Sequence, residues 1–255
     1  MPQQATTINL FMREQVAYLT LDNEAKHNAL GQYELDQLEV HLQAIAQQQD
    51  LRALVLTGAG SKTFCAGAAL DQLDREHFNG DNFAKVTAAL AGLELPTVCA
   101  LNGNVFGAGV DLAIACDFRI GLRGTRMRVP AAAIGACYPP ASIQRLVVEL
   151  GTGAARRLLL LAETFDAQAM HGCGFLHWLV TAEELQSRVD EIIATISSLA
   201  PRSISAMKQI IRQASEGRGD PQFAEELMHA CFACQDFSEG LAAQKEKRPP
   251  VFSGR

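Results

Sequence analysis

Thr97-Val98-Cys99-Ala100-Leu101-Asn102-Gly103, followed after Asn104-Val105-Phe106 by Gly107-Ala108-Gly109-Val110-Asp111-Leu112-Ala113-Ile114-Ala115-Cys116-Asp117 and then Phe118-Arg119-Ile120, is the stretch on which the fold turns. Its opening apolar run, closed by Asn-Gly, predicts a buried strand ended by a turn. The small residues from Gly107 onward lead into an expected helix, and Phe118-Arg119-Ile120 reads as a third short buried strand. Working outward, Arg52-Ala53-Leu54-Val55-Leu56-Thr57 is a continuous apolar strand closed by Gly58-Ala59-Gly60. Val16-Ala17-Tyr18-Leu19-Thr20-Leu21 is a β-branched and aromatic one ended by Asp22-Asn23. Between them Leu35, Leu38, Leu42 and Ile45 recur on one face of a helix beginning near Gly31. Strands buried on both faces and alternating with helices predict an α/β core with parallel pairing. From Gly153 onward the pattern turns helical, over 154–161, 166–171, 182–199, 201–215 and 220–234, with Pro201 suited to a helix start. A tail of that size has to bury an apolar face on its own core or on a neighbouring subunit.

Composition narrows the function. The chain has 255 residues, 48% apolar, 20% charged, with a formal net charge of −6, so an acidic chain without a basic excess is not expected to bind nucleic acid. No apolar run approaches the ~20 residues of a membrane helix, and the opening Met-Pro-Gln-Gln-Ala-Thr-Thr has neither the basic nor the apolar part of a secretory signal. Seven cysteines, an odd number scattered among apolar neighbours, predict reduced thiols in a cytoplasmic protein. Cys231-x-x-Cys234 lacks a second CxxC or a histidine pair, so no metal is expected there.

The chemistry concentrates in two loops of small residues, Phe64-Cys65-Ala66-Gly67-Ala68-Ala69-Leu70 and Gly107-Ala108-Gly109-Val110-Asp111. Such residues let backbone N–H groups approach a ligand closely, and two loops together could offer two donors to one oxygen, an oxyanion hole. The same glycines would equally serve tight turns and close helix–strand packing. Neither loop carries a dinucleotide or Walker spacing.

Taken in order, Lys26-His27-Asn28-Ala29-Leu30, Phe64-Cys65-Ala66-Gly67-Ala68, the stretch from Leu101 to Asp117, Ile143-Gln144-Arg145-Leu146 and the ending from Asp236 to Phe252 resemble the crotonase (enoyl-CoA hydratase/isomerase) superfamily. The resemblance implies a ββα superhelix, a spiral α/β core over residues 1–195, with a C-terminal helical oligomerisation region over 196–255. It implies an acyl-CoA thioester as substrate, no further cofactor, and a homotrimer or homohexamer. By position the backbone donors to the thioester carbonyl belong to Ala68 and Ala108. Lys26, His27, Ala66 and Leu70 fall on the adenine and pantetheine path. Lys26 would approach CoA phosphates, or is an exposed turn lysine. Lys247, in the net-positive stretch Lys245-Glu246-Lys247-Arg248, would suit phosphate contacts, or belongs to a solvated helix end.

The acid–base groups depart from the family pattern. Hydratases of the family use two glutamates. Asp111 takes the first position, one methylene shorter and so ~1.5 Å different in reach. Ala131 takes the second, and alanine transfers no proton. Tyr138, in Gly135-Ala136-Cys137-Tyr138-Pro139-Pro140, matches a tyrosine of the superfamily's methylmalonyl-CoA decarboxylases, which also lack the second glutamate; those carry a histidine where this chain has Ala68. The resemblance therefore implies an enolate-stabilising lyase or isomerase in which ordinary hydration is doubtful. Decarboxylation, thioester hydrolysis, isomerisation with Asp111 as the acid–base group, and silent acyl-CoA binding remain open. Cys137 is expected to be an inert thiol, and Arg123, Arg126 and Arg128 an exposed basic segment.

Overall fold

The computed structural model describes residues 7–69 and 80–254. Two short strands open it, β1 (Ile8–Arg13) and β2 (Val16–Leu21), paired antiparallel. Helix α1 (Gln32–Ala46) follows; the Glu34 carboxylate accepts the Gly31 N–H at 2.9 Å and so satisfies a donor the helix start leaves orphaned. The chain then repeats one unit. A strand enters a large sheet, the next enters a small sheet, and a helix returns the chain. The units are β3 (Ala53–Gly58), β4 (Thr63–Cys65) and α2 (Gly80–Gly92); β5 (Thr97–Leu101), β6 (Asn104–Phe106) and α3 (Ala108–Ile114); and β7 (Phe118–Leu122), β8 (Arg126–Arg128) and α4 (Pro140–Leu160). The large sheet has the order β1-β2-β3-β5-β7-β10, with β10 at Trp178–Val180, and is parallel from β2 onward. The small sheet has the order β4-β6-β8-β9, with β9 at Phe165–Asp166 antiparallel to β8. This is the ββα superhelix.

The strand periodicity explains the layering. Successive side chains point to opposite faces. On β3, Leu54 and Leu56 join the main core under α1, α2 and α3, whereas Ala53 and Val55 join a second cluster beneath α6 (Leu185–Ser197). On β5, Cys99 and Leu101 face the first cluster, and Val98 and Ala100 face the second. Covered on both sides, these strands have no polar face, which is why they read as unbroken apolar runs.

The remaining helices are α5 (Ala167–Gly172), α7 (Pro201–Ser215), α8 (Pro221–Phe232) and α9 (Gln235–Glu246). Lys208 joins α7 to the core, its ammonium 2.7 Å from Asp117 and 2.8 Å from the Leu95 carbonyl. No residue of α8 is buried, and Met228, Phe232, Phe237 and Leu241 of α8 and α9 are exposed within the chain.

The helix expected over 154–161 lies in the second part of α4, which the non-helical Gly151 (φ 75°, ψ 160°) separates from the part that begins at Pro140. The cysteines are all free, but not all enclosed: Cys137 is exposed beside Tyr138. The basic segment is outward-facing as expected, with Arg126 and Arg128 exposed on β8 about the buried Met127.

Candidate active site

The two glycine loops meet. Gly67 has φ 91°, and a Cβ built on it would stand 2.9 Å from the Phe106 carbonyl oxygen and 3.1 Å from the Ala108 nitrogen, so only glycine allows this approach. Ala68 follows it and forms a parallel bridge with Leu30. The Leu30 N–H donates to the Gly67 oxygen at 2.8 Å, and the Ala69 N–H donates to the Leu30 oxygen at 2.9 Å. In such a bridge the flanking residues take both bonds, which turns the N–H of Ala68 away from Leu30. Ala108 opens α3, where the first N–H groups have no partner within the helix. Ala68, Ala108, Ala131 and Tyr138 all pack, partly exposed, against the main core.

The first loop is registered from below by a residue the sequence reading quoted but did not single out. Asn28 is buried with φ 56°. Its amide nitrogen lies 3.0, 2.9 and 3.2 Å from the carbonyl oxygens of Ala59, Thr63 and Phe64, and its oxygen accepts the Asn23 N–H at 3.0 Å. The turn holding Lys26 and His27 is thereby bolted to the strand that leads into the loop. Lys26 and His27 are exposed; the His27 carbonyl accepts the Ala66 N–H at 3.0 Å, and its ring nitrogen Nδ1 lies 3.4 Å from the Thr63 hydroxyl. Leu70 lies outside the described residues. Lys247 stands apart as the exposed C-cap of α9, its N–H bonded to the Gln244 oxygen. The neighbouring Arg248 does not offer its charge outward, because its guanidinium is paired with Glu239 and Glu246 within the chain. Those contacts hold the Glu239 carboxyl at about 2.

Asp111 is only 2% exposed, and both carboxylate oxygens are engaged. Oδ1 receives Arg145 at 2.8 Å; Oδ2 receives the hydroxyls of Ser142 at 2.6 Å and Thr87 at 3.1 Å. Burial pushes its pKa up, against the opposing pull of the Arg145 charge and the three donors. Thr87 lies on α2, and Ser142 and Arg145 on α4, so this carboxylate ties three helices together. The sequence reading missed all three partners. Ala131 begins a short 3-10 helix, Ala131–Ile134, and brings no acid to the site.

Tyr138 reaches back to the second loop, its hydroxyl donating to the Gly107 oxygen at 2.8 Å. Burial first, and the Asp111 charge second, push its phenol well above the ordinary range, so it stays protonated. A separate groove of about 710 Å³ lies between the C-terminal end of α3, α4 and α7, lined by Ile114, Phe118, Val148, Met207 and Ile211. It is not the space between the loops, although Arg145 lines it while bonded to Asp111. Among the described residues no cluster of His, Cys, Asp or Glu could hold a metal ion, and no helix is long and apolar enough to cross a membrane.

Comparisons with known proteins agree with this architecture. The model of the enoyl-CoA hydratase/isomerase family matches residues 12–255. A short-chain-enoyl-CoA hydratase of Clostridium acetobutylicum is 30% identical over 91% of this chain and 92% of its own length. A 2,3-dehydroadipyl-CoA hydratase of Escherichia coli is 28% identical over 95% and 97%. Among solved structures, an enoyl-CoA hydratase of Bacillus anthracis superposes with a TM-score of 0.90 at 27% identity, covering 98% of this chain and 100% of that one. With its fold, its two loops and these relatives in agreement, the chain belongs to the enoyl-CoA hydratase/isomerase family.

Proposed function

We propose that this family member binds an acyl-CoA thioester with its carbonyl oxygen between the N–H groups of Ala68 and Ala108, stabilises the thioester enolate there, and does not hydrate by the two-glutamate route. One observation carries the second half of the reading: Asp111 is clamped by Thr87, Ser142 and Arg145, while Ala131 stands in the place of the other acid. A water molecule to be added across a double bond needs a carboxylate free to take its proton, and neither position offers one.

The reaction that asks least of such a site is decarboxylation of a malonyl-type acyl-CoA. The bond between Cα and the carboxylate carbon breaks and carbon dioxide leaves. The electron pair passes into the thioester, whose oxygen becomes the enolate oxyanion held by the two amides. Cα then takes a proton from solvent. Each well-aligned N–H of such a hole is worth on the order of 10²–10³ in rate, and that stabilisation replaces the missing base. Ala66, Leu70, Lys26 and His27 would line the path of the CoA moiety. Lys247 would contribute across a subunit boundary in a homotrimer or homohexamer, in which the exposed faces of α8 and α9 would be covered. The acidic chain with its free thiols fits a cytoplasmic enzyme that needs no cofactor beyond its thioester substrate.

The clamped carboxylate also favours a second reading, a catalytically silent acyl-CoA binder. Incubation with a panel of enoyl-, malonyl-type and saturated acyl-CoAs, with products identified by mass, separates these. Loss of 44 Da from a malonyl-type thioester is the expected result. 3-Hydroxyacyl-CoA as the sole product would overturn the non-hydratase reading, and binding without turnover across the panel would establish the silent one.

A further inference from the structure

The Gly107 carbonyl and the Ala108 N–H are two ends of one peptide group. No described peptide bond is cis, and in a planar trans peptide the C=O and N–H point in opposite directions. Whatever grips the Gly107 oxygen therefore aims the Ala108 N–H. Two donors grip it: the Val110 N–H at 2.9 Å, from within α3, and the Tyr138 hydroxyl at 2.8 Å, from a segment thirty-one residues further on. The grip matters here because Gly107 sits at φ 49° and ψ −125°, a conformation open to glycine and sparsely populated by other residues. Its peptide would swing easily if it were held at one point only. Tyr138 is itself held, its ring packed against the main core, with Pro139 and Pro140 fixing the start of α4 behind it.

We infer that Tyr138 is a positioning residue: its hydroxyl sets the direction of the Ala108 N–H and, by hydrogen-bonding the other end of the same amide, strengthens that N–H as a donor. Charge drawn toward the Gly107 oxygen leaves the amide hydrogen more positive, as in any hydrogen-bonded chain of peptide groups. The inference rests on the reading that Ala108 receives the thioester oxygen. It differs from a role for Tyr138 as proton donor, since the single phenolic hydrogen is already committed to Gly107, and the phenol, buried beside the Asp111 charge with Cys65 and Arg145 also facing it, keeps that hydrogen.

The test is a difference infrared spectrum of butyryl-CoA carrying ¹³C at its carbonyl, bound to the full chain. In the parent protein the carbonyl band is expected to move to lower frequency on binding. In Tyr138→Phe that displacement is expected to fall by about half, with the dissociation constant changed less than about threefold. On any substrate the panel turns over, kcat is expected to fall on the order of tenfold with KM little changed, less than the 10²–10³ of deleting a hole donor outright. A fluorinated tyrosine at position 138, which keeps the ring and donates more strongly, is expected to enlarge the displacement, and it supplies the answer if Tyr138→Phe fails to fold. An unchanged band in both variants overturns the positioning role even if turnover falls. An undisplaced band in the parent overturns the reading of the hole itself, and the positioning role with it.

Discussion

In the loop of residues 64–69, backbone does the holding: Leu30 registers Ala68 through two main-chain hydrogen bonds, and one buried amide, Asn28, secures three carbonyls beneath it. In the loop of residues 106–111, side chains do it: Tyr138 grips Gly107, and Thr87, Ser142 and Arg145 grip Asp111. The two stretches look alike on paper, each a run of Gly and Ala after a strand. The first is part of a sheet-like ladder, registered by main-chain bonds to Leu30. The second depends on four particular side chains carried by α2, α4 and the turn before α4.

The largest effect should come from unlocking the second loop at Asp111. Arg145→Ala leaves a buried carboxylate without its charge partner, and a loss of about 3 kcal/mol is expected in urea unfolding. The pH dependence gives the sign. Burial raises the Asp111 pKa above its ordinary value, so the folded chain holds the proton longer than the unfolded one, and stability falls as pH rises through that window. Without Arg145 the pKa rises further, so the deficit of the variant should shrink as the pH is lowered toward 4. A deficit under about 1 kcal/mol at neutral pH would show that Asp111 is not clamped and is available for catalysis.

Next comes the corresponding cut in the first loop. Asn28→Ala strands the Ala59, Thr63 and Phe64 carbonyls and should cost about 2–3 kcal/mol, with Asn28→Asp unable to rescue because it has no N–H to donate. Hydrogen exchange should show the loosening at residues 63–69 while the amides of α3 behind Gly107 stay protected. Equal loosening of both loops would dissolve the distinction drawn between them.

Gly67→Ala acts where the two loops touch. At φ 91°, with the new methyl group 2.9 Å from the Phe106 oxygen, a loss of about 1–2 kcal/mol is expected, and thioester binding should weaken along with it. Thermal unfolding and titration with butyryl-CoA check the two together.

The smallest effect concerns a site belonging to neither loop. Burial, then the charges of Arg119 and His171, lower the His177 pKa to about 4. The unfolded chain therefore takes up a proton first as pH falls, and stability should drop between about pH 6.5 and 4. His177→Phe should flatten that slope in a pH series of melting temperatures without moving either loop's exchange rates.

Much of the fold was legible because its signals are local. The strands β2 and β5 coincide with the apolar runs that predict them, and α7 begins at Pro201 as its sequence implies. The family was legible too, because short motifs in fixed order carry the resemblance. What stayed hidden is separated in sequence. The partners of Asp111 lie 24, 31 and 34 residues away, and no spacing rule links a threonine on one helix to a serine and an arginine on another. An aspartate amid apolar neighbours looked reserved for catalysis. The structure adds that both of its oxygens are bonded, to side chains on α2 and α4. The charge beside Lys247 is likewise invisible to spacing: Arg248 spends it on Glu239 and Glu246 in the same chain.

By itself, then, the sequence determined the alternation of strands and helices, the face each buries, and the family. These follow from side-chain periodicity and from glycine's freedom, both of which act over a few residues. The tertiary structure alone decided what the side chains around the two loops do: that Asn28 carries one loop, that Tyr138 aims the amide of the other, and that Asp111 is held by Thr87, Ser142 and Arg145. A hydrogen bond between residues thirty apart exists only once the core has brought their elements together.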